Sequence, residues 1–268
     1  MTPIDALTAA ALGAVQGATE FLPVSSSGHV SLGAIAFGIP DMPLSVVVVV
    51  HAGTLLATLA VFAPDVARLT ADTVRDLRRP SALLETERGR LVAGLIVASV
   101  PTAVIGLLLE DRVEQLTHVP WVIGLCLLVS AALVVATRRA HGEARVLSLW
   151  SYGLVGFAQG LAVMPGLSRS GTTIAAAMLL GLSGSEAFRL SFLLSLPAVA
   201  GAVLLKAAEP GAFEALGSGA VIAGLVALVV GYASLRGLRS IVERGRLWVF
   251  AVYLVPLGIA VVVWDAVR

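Results

Sequence analysis

Charge is scarce in this 268-residue chain. Only 13% of its residues are charged, 58% are hydrophobic, and the net charge is +1. A net charge of +1 gives no reason to expect nucleic-acid binding, and the composition leaves too little polar surface for a soluble globular domain. Mean hydropathy is +0.96. Cysteine occurs once, as Cys126, which excludes an intrachain disulfide and a cysteine-cluster metal site. Cys126 lies in an apolar window and reads as a packing residue. The opening "MTPID" lacks the basic n-region of a secretory signal, and the segment behind it carries Gln16 and Glu20. Linkers and low-complexity runs are missing too. The longest polar stretch, 64–90, mixes both charge signs and reads as a solvated loop.

What the chain has instead is uncharged apolar windows, at 43–63, 91–109, 119–137, 190–205, 215–235 and 247–264. A helix needs roughly 20 apolar residues to cross a bilayer. Five windows reach that length, and the fourth does when Ala187 to Arg189 extend it. Lipid admits only helices or closed barrels, and continuous apolar runs do not alternate as barrel strands must. The expected fold is an all-α polytopic membrane protein with six transmembrane helices in one integral-membrane domain spanning 1–268.

Two segments break this pattern. Residues 5–37 and 148–180 each hold a modest apolar stretch, a serine-rich interruption and a second short apolar stretch. "GAVQGATEFLPVSSSGHV" from Gly13 aligns with "GFAQGLAVMPGLSRSGTT" from Gly156 at a constant offset of 143. Gly13, Gln16, Gly17, Ser25, Ser27 and Gly28 match Gly156, Gln159, Gly160, Ser168, Ser170 and Gly171, and farther on Gly38 matches Gly181. This is an internal duplication. Each copy predicts a helix, a break capped by Ser and Gly, and a helix over 28–38 or 171–181 that is too short to span. Each is therefore expected to be a re-entrant helical hairpin. Three spans separate the two hairpins, so the halves, about 1–140 and 141–268, are expected to have inverted topology and to bring their breaks together near the midplane. Loops 64–90, 138–148 and 236–246 carry thirteen Lys or Arg, against Arg112, Lys206 and Arg268 on the other side. The bias makes the first side cytoplasmic and places both termini and the first hairpin on the outer face.

The duplication also separates scaffold from chemistry. Where the copies differ, Glu20 stands opposite Val163, Ser26 opposite Arg169 and His29 opposite Thr172. Helix N-termini and hydroxyls at both breaks favour an anion, and the Arg169 fork suits phosphate oxygens. A carboxylate beside an anion is repulsive unless a divalent cation bridges them. Gln16 lies one helical turn before Glu20, so its amide oxygen is a candidate second ligand. Ionisable groups at membrane depth are expected to be functional, although a plain Glu20–Arg169 neutralising pair is the competing reading. His51, inside the first span, is either a packed residue or a supporting group behind the site.

At these residues the sequence resembles a known family. "QGATEFLPVSSSGH" and "PGLSRSGTTIAAAMLLGLS" look like the two signature motifs of the undecaprenyl-pyrophosphate phosphatases, the bacitracin-resistance family, with Gln16 where many members have Glu. The resemblance implies an enzyme of the bacterial cell membrane, reached from the outer face. It would remove the terminal phosphate of a C55 polyprenyl pyrophosphate, recycling the lipid carrier for peptidoglycan synthesis and cell shape and conferring bacitracin resistance. It implies a divalent cation, Mg²⁺ or Ca²⁺, on Glu20 and Gln16. It also implies a phosphate-binding set of Arg169 with Gln16, Ser25, Ser27, Ser168, Ser170 and Thr173. Ser26 is the favoured nucleophile, with His29 as its base or as acid to the leaving group, while direct attack by His29 stays open. The expected partners are the polyprenyl pyrophosphate and the bilayer, with a homodimer allowed and no nucleic acid. A lipid-phosphate transporter or flippase using the same anion site is the alternative. The Glu20–Ser26–His29 group discriminates against it, because binding alone does not require that chemistry.

Overall fold

In the computed structural model, residues 5–37, 43–76, 82–213 and 216–267 are described. Gly38 of the repeat and the terminal Arg268 lie outside them. The described residues form eleven α-helices, two 3₁₀ turns and no strand beyond one isolated bridge. In chain order the helices are α1 (Ala6–Phe21), α2 (Ser26–Phe37), α3 (Leu44–Asp76), the single turn α4 (Ala82–Glu85), α5 (Glu87–Leu116), α6 (Pro120–Ala136), α7 (Leu149–Leu161), α8 (Arg169–Leu179), α9 (Gly184–Ala208), α10 (Ser218–Glu243) and α11 (Ala251–Ala266). Among the described residues six stretches are long and apolar enough to cross a membrane. They are Leu44–Val74, Glu87–Leu116, Pro120–Arg139, Gly184–Ala208, Ser218–Glu243 and Leu247–Ala266. The chain is thus a multi-pass, all-helical membrane protein. These helices outrun the apolar windows because their polar ends continue the backbone ladder. Capping groups, rather than loss of hydropathy, mark where they start. Thr86 accepts from the Gly89 amide at α5, Ser183 accepts from the Glu186 amide at α9, and Pro120 opens α6.

The other long-range elements are short. At 16, 12, 13 and 11 residues, α1, α2, α7 and α8 rise at most about 24 Å each, less than the roughly 30 Å hydrocarbon core. Asp5 caps α1. It accepts from the Thr8 hydroxyl at 2.6 Å and from the Leu7 and Thr8 amides at 3.0 Å, and the Thr8 hydroxyl chiefly holds its carboxyl below the ordinary range. The α7–α8 segment begins and ends at one place. The Ala144 amide donates to the Gly181 carbonyl at 3.1 Å, and the Ser183 amide donates to the Ala144 carbonyl at 3.1 Å, so the chain leaving α8 returns to the loop that fed α7.

Packing follows an exchange between the halves. α1 lies against α10 and α7 against α5, while α6 pairs with α11 and α3 with α9. The matched glycines are why the short helices approach so closely. A Cβ on Gly13 would sit 2.2 Å from the Ala223 carbonyl oxygen, and one on Gly156 would sit 2.0 Å from that of Ala98. Phe21, at the end of α1, joins Phe62, Phe188 and Phe192 in a buried aromatic cluster. That cluster pins the mouth of the first break against α3 and α9. Ion pairs mark the two ends of the bundle. Arg189 on α9 meets Asp65 on α3 at 2.8 Å, and Lys206 lies 3.7 Å from Glu110.

Candidate active site

Each break ends in a serine that folds back on the helix it opens. The Ser25 hydroxyl accepts from the Gly28 amide at 3.2 Å, and the Ser168 hydroxyl accepts from the Gly171 amide at 3.2 Å. The second serine of each motif stands 3.3 Å away, Ser27 from Ser25 and Ser170 from Ser168. The caps differ in one respect. Ser25 is the only described non-glycine residue with positive φ, at 68°, and this turn swings the next residue, Ser26, toward Glu20. The breaks touch. Pro23 packs so closely on Gly171 that a Cβ there would lie 2.9 Å from the proline ring.

Where they meet, the polar side chains converge on one carboxylate. Glu20 Oε1 pairs with Arg169 Nη2 across the two halves. Glu20 Oε2 accepts from the Ser26 hydroxyl at 2.7 Å and from the Gln16 amide at 2.9 Å. The Glu20 side chain is only 8% exposed, so nearly all its compensation comes from these groups. They open onto a cavity of about 350 Å³ whose lining includes Thr19, Glu20, Ser26, His51, Ser168 and Arg169. The site can hold an anion with a cation and hydroxyl donors, and it offers a serine already hydrogen-bonded to a carboxylate that accepts its proton.

The family profile described as Bacitracin resistance protein BacA matches residues 9–260. The chain belongs to this family. A relative named undecaprenyl-diphosphatase from Korarchaeum cryptofilum is 40% identical over 253 residues, 93% of this chain and 95% of the relative. Proteins of the same name from Desulfosudis oleivorans and Rubrobacter xylanophilus are each 41% identical. They cover 100% of both chains in the first case, and 95% of this chain and 96% of the relative in the second. The family match takes in both breaks, five of the spans and most of the sixth.

Within the family frame, the structure sorts the residues that the motifs single out. Gln16, Glu20, Ser26 and Arg169 form one hydrogen-bonded group, and Ser25, Ser27 and Ser168 line the same cavity. Ser170 and Thr173 are buried and do not line it. The Thr173 hydroxyl donates to the Arg169 carbonyl at 2.8 Å and meets the Ser191 hydroxyl, so it braces the start of α8. His29 also stands off the cavity. Its Nδ1 lies 2.8 Å from the Ser25 carbonyl and its Nε2 lies 2.6 Å from the Tyr253 hydroxyl, with the two rings stacked 5.7 Å apart. Ser26 therefore directs its proton at Glu20 rather than at His29. Tyr253 was invisible to sequence reasoning because it sits in a uniformly apolar span far along the chain. Ser130 was missed for the same reason. Its hydroxyl holds both sides of the second break, accepting from the Ser168 amide at 2.9 Å and donating to the Gly166 carbonyl at 3.3 Å. The one usable signal was a hydroxyl or phenol in an otherwise oily helix.

Proposed function

We propose that this chain hydrolyses a C55 polyprenyl pyrophosphate to the monophosphate and inorganic phosphate, recycling the lipid carrier of cell-wall synthesis and lowering sensitivity to bacitracin. The observation that carries the reading is the cross-repeat group in which one carboxylate holds both Arg169 and Ser26. Relatives over the whole chain carry the name undecaprenyl-diphosphatase, and a transporter would need no serine on a proton acceptor.

In the proposed reaction Arg169, with the hydroxyls of Ser25, Ser27 and Ser168, binds and orients the diphosphate, while Gln16, Ser170 and Thr173 hold the frame. Ser26 Oγ bonds to the terminal phosphorus as the bridging P–O bond breaks. The electron pair of that bond leaves with the polyprenyl monophosphate, and the serine proton passes to Glu20. Water then attacks the phosphorus of the phosphoserine, the Oγ–P bond breaks, and the proton held by Glu20 returns to Oγ, restoring Ser26 and releasing inorganic phosphate. His29 stands one helical turn beyond Ser26 on α2; its role as acid to the leaving group requires the ring to release Tyr253 and turn toward the cavity. Charge neutralisation and in-line placement supply most of the rate in such transfers.

Among the described residues no three His, Cys, Asp or Glu side chains cluster as a metal cage. Mg²⁺ is commonly held through one or two carboxylates plus substrate phosphates, and Glu20 on the cavity wall fits that need. Gln16 would add its amide oxygen only with the amide turned over. Bound there, Mg²⁺ or Ca²⁺ would neutralise phosphate charge.

The halves are proposed to be inverted repeats with re-entrant hairpins. The exchanged packing of α1 on α10 and α7 on α5 supports this, as does the return of α8 to the start of α7. The basic loops are assigned to the cytoplasm, with the termini and substrate access on the outer face; a homodimer is compatible with this arrangement. The deciding experiment is phosphate release from a polyprenyl pyrophosphate by purified protein in detergent, with and without chelator. Release that chelator suppresses is expected, and no release overturns the proposal.

A further inference from the structure

We infer that His51 is a positioning residue for this reaction: it braces the Gln16 amide against Glu20, and through Gln16 it keeps Glu20 aimed at Ser26. The inference rests on the phosphatase reading above. His51 belongs to α3, a spanning helix, whereas Gln16 and Glu20 belong to the short α1. His51 Nδ1 lies 2.9 Å from the Val47 carbonyl oxygen. A carbonyl only accepts, so Nδ1 carries a proton, and the Gln16 amide nitrogen facing Nε2 makes that ring nitrogen the acceptor. The Gln16 amide nitrogen stands 3.4 Å from that Nε2 and 2.9 Å from Glu20 Oε2. Its two hydrogens are therefore divided between a ring nitrogen and a carboxylate oxygen.

The amide has no equivalent alternative. Turned over, Gln16 would set its oxygen against two acceptors at once, in a place where the residue is only 3% exposed and water does not compensate. His51 thus joins Glu20 in setting the orientation of Gln16. Glu20 Oε2 then receives two donors, Gln16 and Ser26, while Oε1 is kept for Arg169. With all three contacts in place the carboxylate plane is fixed, and Oε2 stays 2.7 Å from the Ser26 hydroxyl. Without the His51 acceptor the Gln16 amide is held by Glu20 alone, and its constraint on that oxygen is loosened. The Thr54 hydroxyl, 3.0 Å from the His51 carbonyl, ties this part of α3 locally, so a long helix serves as the rigid support for a broken one.

The test uses the full-length protein with a polyprenyl pyrophosphate in detergent. His51→Leu is expected to lower kcat by about ten- to a hundredfold with little change in KM, the range for a misplaced catalytic group. His51→Gln is expected to recover most of that loss, because its amide oxygen supplies the acceptor. In a Gln16→Leu background, His51→Leu should cost nothing more, since the residue acts through Gln16. Wild-type kcat in His51→Leu, equal impairment in His51→Gln, or multiplying losses in the double variant would each overturn the assignment. The same cycle read as melting temperature tests the contact without activity: coupled shifts are expected, and additive shifts overturn it. A wild-type protein that releases no phosphate instead refutes the phosphatase reading, while the melting cycle still decides the His51–Gln16 link.

Discussion

Arg169 separates the catalytic reading from a purely structural one. It pairs with a Glu20 side chain that is 8% exposed, and it is itself only 21% exposed, so the pair is shielded from solvent. Removing one partner of a buried pair strands the other at a cost of about 3–5 kcal/mol. Removing a donor to a developing phosphoryl charge costs about a hundred- to a thousandfold in rate. The two effects come apart by substitution. Arg169→Lys keeps a cation near Glu20 but loses the planar fork; kcat should fall at least about a hundredfold while melting temperature changes little. Arg169→Ala should lose both activity and stability. Combining Arg169→Ala with Glu20→Gln leaves no charge unpaired, so stability should return while the rate does not. Phosphate release and thermal melting on the same detergent-purified samples read the two quantities. Near-normal release by the double variant would refute the site, because the pair would then be serving only to neutralise itself.

Four further outcomes are expected. Ser26→Ala abolishes turnover while Ser25→Ala and Ser27→Ala retain part of it, and trapped phosphoenzyme is acid-stable; an acid-labile phosphate would move the nucleophile to His29. At position 25, where φ is 68°, Ser25→Gly melts higher than Ser25→Ala, since only glycine accepts that backbone without strain, and the reverse order would contradict the turn. Gly13→Val and Gly156→Val each force α1 or α7 off its neighbour's carbonyl and destabilise by at least about 1–3 kcal/mol, measured as the shift in melting temperature. A reporter fused after Arg268 behaves as extracytoplasmic, and cytoplasmic behaviour would invert the assigned topology.

Hydropathy alone determined the number and approximate place of the spans, because a bilayer imposes one length on every crossing helix and the chain has few polar residues to obscure it. The duplication was equally legible. Gly13, Gln16, Ser25 and Ser27 recur at one offset, and local capping chemistry repeats with them, so the Ser25 and Ser168 caps could be read before any contact was known. Local rules also marked Glu20, Ser26 and Arg169 as residues without a place in lipid. Pairing was another matter. Glu20 and Arg169 are 149 positions apart, and Tyr253 stands 224 positions from His29; no periodicity links such residues. That Ser26 turns to Glu20 while His29 turns to Tyr253 follows from the positive φ at Ser25 and from where α11 lies, both consequences of packing. The same holds for His51. In the sequence it is one histidine in an oily helix, and only the approach of α3 to α1 gives its second nitrogen a partner. Burial is set locally by composition, whereas hydrogen-bond choice among buried groups depends on which helices the tertiary fold brings together.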